Sequence, residues 1–394
     1  MSNAEKWAIL EKGREKLAQR HNPWIYSGAV RKTSENIGDG DVVAVKSAGG
    51  EFIAWGHFNS KSGIRVRLLS WVESEKPDEK WISRRIEDAC DLRKGMISDE
   101  TTIVRLIYSE SDMLPGIICD IFGKVGVMQV STPGFDKIKP FLAQKIAEIA
   151  ELDAVFERSD GDGRKIEGLP ASSGLLFGRL ESEKIVAKEN GLLFSVDLTA
   201  QKTGFYADQR DNRRIFGEYA SGEMLDICAY SGAFSVYALK NSAKHSILLD
   251  ISKESEALVE ENMKLNNIGK ERYEFIRGDA FELIRNFAKE KKNLDSIVLD
   301  PPKLAPSNKY LEKGLRAYKD LNLNALNLLR KGGVLATFSC SGAVTMTDFR
   351  SAVAFAAHDA GREISILKQL HQAPDHPIRL TAPETEYLKG LLLR

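Results

Sequence analysis

The stretch Ser296-Ile297-Val298-Leu299-Asp300-Pro301-Pro302-Lys303 decides the fold of the C-terminal half of this chain. Its opening residues form a short apolar run, as expected of a strand buried on both faces. The run ends in an acid, and two prolines, which cannot donate to a sheet ladder, then force the chain out of the sheet. In an open parallel sheet ligands bind outside the carboxyl ends of the strands, so Asp300 is expected in a crevice. Two further strand ends point to the same edge: Met224-Leu225-Asp226-Ile227-Cys228-Ala229-Tyr230-Ser231-Gly232 before it, and Val334-Leu335-Ala336-Thr337-Phe338-Ser339-Cys340-Ser341-Gly342 after it.

Outward from this edge, strand and helix patterns alternate from Met224 to Ala360, and two last strands are expected at Ile364 to Gln369 and Glu386 to Leu393. Alternation of this kind implies a doubly wound, mainly parallel sheet, here assigned to residues 191–394. The beginning of the chain reads differently. After a helix expected over Ala4 to Arg20, short alternating runs at Asp41 to Lys46, Glu51 to Phe58 and Gly63 to Leu69 suggest a small β-barrel within residues 1–75. Residues 76–190 read as an α+β unit without a catalytic constellation: a charged helix at Asp78 to Met96, strands at Thr102 to Tyr108, Gly116 to Ile121 and Val125 to Val130, then a helix from Phe135 to Leu152.

Composition narrows the partners. Lys plus Arg and Asp plus Glu are 56 each, so no global positive field announces a nucleic acid, and any such surface must be a local patch. Four widely separated cysteines without zinc-ligand spacing argue against a metal or a disulfide framework. No apolar run has the length to span a bilayer, and a reducing cytoplasmic setting is the default expectation. In Ile64-Arg65-Val66-Arg67-Leu68 the two arginines share a strand face, which is either ordinary solvated surface or a phosphate contact. Gln201 to Arg214, dense in charge and aromatics, is either a loop leading into a helix or a lid for the half that follows.

The chemistry gathers at the strand ends. The first carries Gly232 but no GxGxxG, so a dinucleotide is poorly supported; a cofactor without a pyrophosphate, such as S-adenosylmethionine (SAM), needs less backbone clearance. Asp226 is a candidate for its amino-acid end. Asp250, followed by Ser252, is a candidate for the ribose hydroxyls, and Asp279, followed by Ala280, for the adenine amino group. A single acid at a strand end is more often a helix N-cap, but three at consecutive strand ends favour a nucleoside cofactor.

Asp226 to Phe234, Asp300-Pro301-Pro302-Lys303, Tyr318-Lys319-Asp320, Phe338 to Gly342 and Asp375-His376-Pro377 together resemble the ribosomal RNA large subunit methyltransferase I family. Asn22 to Gly28 is similar to that family's PUA domain, and Gln201 to Arg214 to its junction segment. The resemblance covers nearly the whole chain, and Phe338 to Gly342 is its most specific part. It implies a multidomain α/β protein: a PUA-like β-barrel, an α+β middle domain and a Rossmann-like class I SAM methyltransferase sheet. It also implies 5-methylcytosine formation in large-subunit (23S) rRNA, with Tyr230, Gly232 and Phe234 joining the cofactor site. Trp24, Arg65, Arg67, Arg210, Arg213 and Lys303 are then candidates for RNA contact, and a homodimer follows by analogy alone. One departure is Ala229-Tyr230-Ser231-Gly232-Ala233, where the family often has Ser-Tyr-Thr-Gly-Gly.

C5 of cytosine is a poor nucleophile, and a thiolate added to C6 converts the ring into an enamine. Cys340 is the candidate for that nucleophile, and Asp300 for the acid that supports protonation at N3. The sequence names no base for the C5 proton. The rival readings are a guanine methyltransferase on the same fold, which leaves Cys340 without a covalent role, and an RNA-binding assembly factor that keeps the pocket without turnover. Cys228 reads as a packing residue of the cofactor loop and His376 as a turn residue.

Overall fold

The computed structural model describes residues 5–199, 204–290 and 292–394; Ala4, at the head of the expected first helix, and Gln201 to Thr203 of the junction segment lie outside them. The chain divides into two compact units. One comprises Met1–Lys188, Val196–Tyr206 and Asp375–Thr385, the other Glu189–Ser195, Ala207–Pro374 and Glu386–Arg394.

The second unit carries a seven-stranded sheet. Its strands are β1 (Ser221–Ile227), β2 (Ser242–Asp250), β3 (Tyr273–Arg277), β4 (Leu294–Leu299), β5 (Leu329–Ser339), β6 (Ile366–His371) and β7 (Lys389–Leu393). Their spatial order is β3-β2-β1-β4-β5-β7-β6, parallel from β3 to β5, with β7 antiparallel to both of its neighbours. The order reverses between β1 and β4, the topological switch point at which an open sheet leaves a crevice. Ile297, Val298 and Leu299 of β4 are fully buried, as their unbroken apolar run requires, and each contributes roughly 1.5–3 kcal/mol. Gly390 lets β7 lie close to β5, since a Cβ there would meet Phe338 Cδ1 at 2.5 Å.

In the first unit a six-stranded sheet takes the order Trp24–Tyr26, Ile64–Ser70, Phe52–Phe58, Val42–Lys46, Trp7–Leu10, Val30–Thr33. The long first helix expected from sequence is not formed. Trp7–Leu10 is a strand, paired parallel to Val42–Lys46 and antiparallel to Val30–Thr33, and only Lys16–Gln19 is helical. Sheet pairing of the buried Ala8 and Leu10 outweighs local helix propensity, and Gly13, at φ 83°, turns the chain between the two elements.

A five-stranded sheet in the same unit has the order Ser172–Gly178, Ala154–Ser159, Val125–Val130, Ile117–Phe122, Ile103–Tyr108. Helices Glu79–Arg93 and Lys139–Ala150 contribute Trp81, Ile82, Ile86, Leu142 and Ile146 to its core. Ser172–Gly178 was not expected as a strand, because its only large apolar residues, Leu175, Leu176 and Phe177, are adjacent and show no alternation.

Candidate active site

At the carboxyl end of β1 the backbone is held in unusual conformations. Cys228 and Tyr230 have φ values of 63° and 47°, and Gly232, at 67°, leads into the helix Ala233–Leu239. A Cβ at Gly232 would lie 3.0 Å from Leu248 Cδ2 and 3.1 Å from Val259 Cγ2, so both the φ angle and the space favour glycine. The half-buried Asp250, at the end of β2, braces this loop: its carboxylate accepts the N–H of Tyr230 at 2.9 Å and the N–H of Ser252 at 2.9 Å. Ser252 in turn caps the helix Lys253–Leu265 by accepting the N–H of Ser255.

Asp226 is buried and accepts from the Ser235 hydroxyl at 2.7 Å and the Ser235 N–H at 3.2 Å. Burial lifts its carboxyl to about 6, with Asp250 adding to the rise and the Ser235 bonds opposing it. Phe234 is buried between the rings of Phe216 and Phe338. Asp279 is exposed and caps the helix Ala280–Lys289 through the N–H of Glu282, while Ala280 is half-buried. The strand-end acids thus differ: Asp226 is committed inward, Asp250 braces a turn at the edge, and Asp279 is a solvated cap.

The turn after β4 sits beside the end of β1, with the N–H of Asp300 3.3 Å from the carbonyl of Ile227. Asp300 is half-buried and accepts from Gln209 Nε2 at 3.0 Å. Burial, reinforced by the negative charge of Asp208, raises its carboxyl to about 7; the Gln209 bond works in the opposite direction. Asp208 is itself buried, with one carboxylate oxygen accepting from the Tyr387 hydroxyl and the other, Oδ1, without a hydrogen-bond partner. Lys303, three residues beyond Asp300, is exposed.

Cys340 follows β5 directly, and its Sγ lies 3.8 Å from the carbonyl of Pro301. The residue after it fixes the loop. Ser341 Oγ accepts the N–H of Ala305 at 3.1 Å and bonds the Tyr318 hydroxyl at 2.9 Å, and the Ser341 carbonyl accepts from Lys389 Nζ at 2.7 Å. A capping box made by Thr345 and Asp348 then starts the helix Met346–Asp359. Cys228 is half-buried against the core of this unit, and burial pushes its thiol far above the ordinary range, which removes it as a competing thiolate.

Several residues expected to touch RNA are engaged within the protein. Arg213 is buried and paired in bidentate fashion with Glu189, at 2.8 and 2.6 Å, and Arg210 is buried at the start of the same helix, Arg210–Tyr219. Of this segment, Asp208, Gln209, Asn212 and Arg213 turn inward, and Gln209 and Asp208 act on Asp300, while Arg214 stays exposed. In the first unit Arg67 gives both terminal nitrogens to the buried Glu167 at 2.8 Å, so its strand face is a sealed ion pair rather than solvated surface. Arg65, half-buried, donates to the carbonyl of Asn59, and Trp24 Nε1 donates to Glu110 at 2.9 Å. His376 is buried within the first unit beside Asp375 at 3.2 Å. Sequence reasoning missed Asp208, Gln209 and Lys389. The available signal was a lone lysine at the head of the apolar strand Lys389-Gly390-Leu391-Leu392-Leu393.

The edge fits SAM. The Asp250 carboxylate keeps lone pairs beyond the two backbone bonds it accepts, and the loop after β1 holds three positive φ angles in a tight turn at the edge. The sheet order and this loop define a nucleoside-cofactor fold of the methyltransferase type. Residues 170–394 match the family described as S-adenosylmethionine-dependent methyltransferase, and residues 8–71 match a PUA-like domain. A curated protein from Aeromonas hydrophila, named ribosomal RNA large subunit methyltransferase I, is 39% identical over 389 residues, covering 98% of this chain and 98% of its own. Among solved structures, a provisionally assigned SAM-dependent methyltransferase from Streptococcus mutans superposes with a TM-score of 0.83 at 20% identity, over 98% of each chain. A provisionally assigned methyltransferase complexed with SAH does so at 0.84, 20% and 98% of each chain. The chain belongs to the ribosomal RNA large subunit methyltransferase I family of SAM-dependent methyltransferases. Among the described residues no helix is long and apolar enough to cross a membrane.

Proposed function

We propose that this protein methylates C5 of a cytosine in large-subunit rRNA through a covalent adduct at Cys340. The observation that carries the reading is the placement of Cys340 Sγ 3.8 Å from Pro301 O, beside an Asp300 carboxyl that holds its proton to about pH 7. A thiol placed to ionise and a protonated acid at one sheet edge are what addition across the C5–C6 bond of cytosine requires.

SAM, when bound, would supply an electrophilic methyl group to C5, its S–CH3 bond breaking to leave the neutral thioether, and Asp226, Tyr230, Gly232, Phe234, Asp250, Ser252, Asp279, Ala280 and Asp300 are the residues proposed to surround it. Cys340 Sγ, as thiolate, forms a bond to C6, and the C5–C6 π pair makes C5 nucleophilic while Asp300 shares its proton with N3. Once C5 is methylated, a base removes the C5 proton, the electron pair re-forms the ring double bond, and the Cys340 thiolate departs from C6. The target base is single-stranded or flipped out of its stack to reach the edge. Trp24, Arg65, Arg67, Arg210, Arg213 and Lys303 stay in the proposal as RNA-side residues, with Lys303 the exposed one of the six. The division into 1–75, 76–190 and 191–394, a cytoplasmic location and a homodimer belong to the same reading; sedimentation of the purified chain tests the dimer.

The experiment is nucleoside mass spectrometry of large-subunit rRNA from cells lacking the protein, before and after treatment with SAM and either the native chain or Cys340→Ala. The native chain restores 5-methylcytidine, and Cys340→Ala is slower by at least about a thousandfold. Methylation that survives in Cys340→Ala removes the covalent step. A gain of methylguanosine instead establishes guanine chemistry.

A further inference from the structure

Lys389 is 4% exposed and heads β7, directly opposite Ser339, the residue before Cys340. Its Nζ donates to the carbonyl of Ser341 at 2.7 Å and to that of Tyr387 at 2.8 Å. Among the described residues no carboxylate lies within ion-pair distance of it. A buried ammonium with only neutral carbonyls for partners is expensive, and such charges are normally found with an anion or are displaced from the charged form. Two of its three N–H groups are spoken for, which leaves one donor and the net charge for the site. The charged and titratable groups that act on it are Cys340, Glu386 and Lys303, and the attraction of Cys340 is the leading influence holding its proton on, against burial that brings it down to about 8.

We propose that Lys389 is a positioning residue that holds Cys340 as a thiolate before substrate arrives, a role that rests on the covalent reading above. Below about pH 8 Lys389 is an ammonium; the Cys340 thiol, which otherwise donates to the Pro301 carbonyl, gives its proton to solvent, and the Lys389 charge stabilises the sulfur anion. The two carbonyl bonds prevent the long side chain from turning away, and Gly390, next in the strand, permits the close approach of β7 that brings it there.

The test reads the sulfur rather than methylation. The full-length chain, without RNA, is titrated from about pH 6 to 10 with iodoacetamide, and Cys340 alkylation is followed by peptide mass spectrometry. The native Cys340 midpoint is expected at least about one pH unit below the ordinary thiol value near 8.5. Lys389→Met raises the midpoint by about one unit and slows alkylation near pH 7 about tenfold, and Lys389→Arg largely restores both. A native midpoint at or above 8.5 overturns the proposal without any variant. So does an unchanged midpoint in a Lys389→Met protein that still binds SAM by calorimetry. Loss of the covalent reading is seen separately, as rRNA methylation that survives in Cys340→Ala.

Discussion

Two regions, one in each unit, treat charge in opposite ways. In the strands and helices of the first, arginines meet acids in closed pairs, each with at least one buried member: Arg67 with Glu167 at 2.8 Å, Arg93 with Asp112 at 2.7 Å, Arg105 with Asp120 at 2.7 Å. At the sheet edge of the second unit the acids Asp226 and Asp300 are lifted to about 6 and 7, and the amine of Lys389 is lowered to about 8. A satisfied pair spends its electrostatics on architecture, whereas a group held against its preferred charge state is available to hold, share or release a proton.

The largest effect expected to probe this contrast is in the scaffold. Arg67→Ala strands Glu167, which also accepts from Asn59 and Ser62, as a buried charge and is expected to destabilise the protein by about 3–5 kcal/mol in denaturant unfolding. Arg65→Ala, which removes a bond to a carbonyl and a contact over the Phe58 ring but strands no charge, is expected to cost about 1 kcal/mol. Equal effects from the two would erase the distinction between sealed and peripheral charge in that strand.

At the site the sign is opposite. The Asp300 carboxyl lies near 3.9 when unfolded and near 7 when folded, so the folded state binds the extra proton between those values and native stability falls as pH rises from about 4 to 7. Asp300→Asn removes that penalty. The variant is therefore expected to be more stable than the native chain by about 2 kcal/mol above pH 7 and to show no such gain below pH 4, as thermal unfolding at both values would reveal. A gain independent of pH would mean that Asp300 is not held protonated.

The smallest of these effects concerns the cofactor. Asp250→Ala is expected to weaken SAM binding about tenfold or more by calorimetry, since it removes both the proposed ribose acceptor and the brace on Tyr230. Unchanged affinity would place the ribose elsewhere along the edge.

Much of this was legible in the sequence. The apolar run before Asp300 and the strand–helix alternation are local signals, and β1 to β7 follow them closely; the central β4, buried along most of its length, needs its continuous apolar run whatever surrounds it. Cys340 and Asp300 were legible for the same reason, as chemical residues placed at strand ends. The first strand, Trp7–Leu10, was not, since its identity depends on a partner more than thirty residues away in the chain, Val42–Lys46.

The sequence by itself determined the fold class, the cofactor edge and the two residues proposed for the reaction, because each is written in a short window of polarity and backbone restriction. Only the tertiary structure decided what each charge is for. It turned Arg67 and Arg213 inward onto Glu167 and Glu189, set Asp208 and Gln209 against Asp300, and carried Lys389, nearly fifty residues beyond Cys340 in the chain, to the loop that holds it. Whether a charged residue is paired, strained or free depends on distance and burial, and both belong to the folded chain alone.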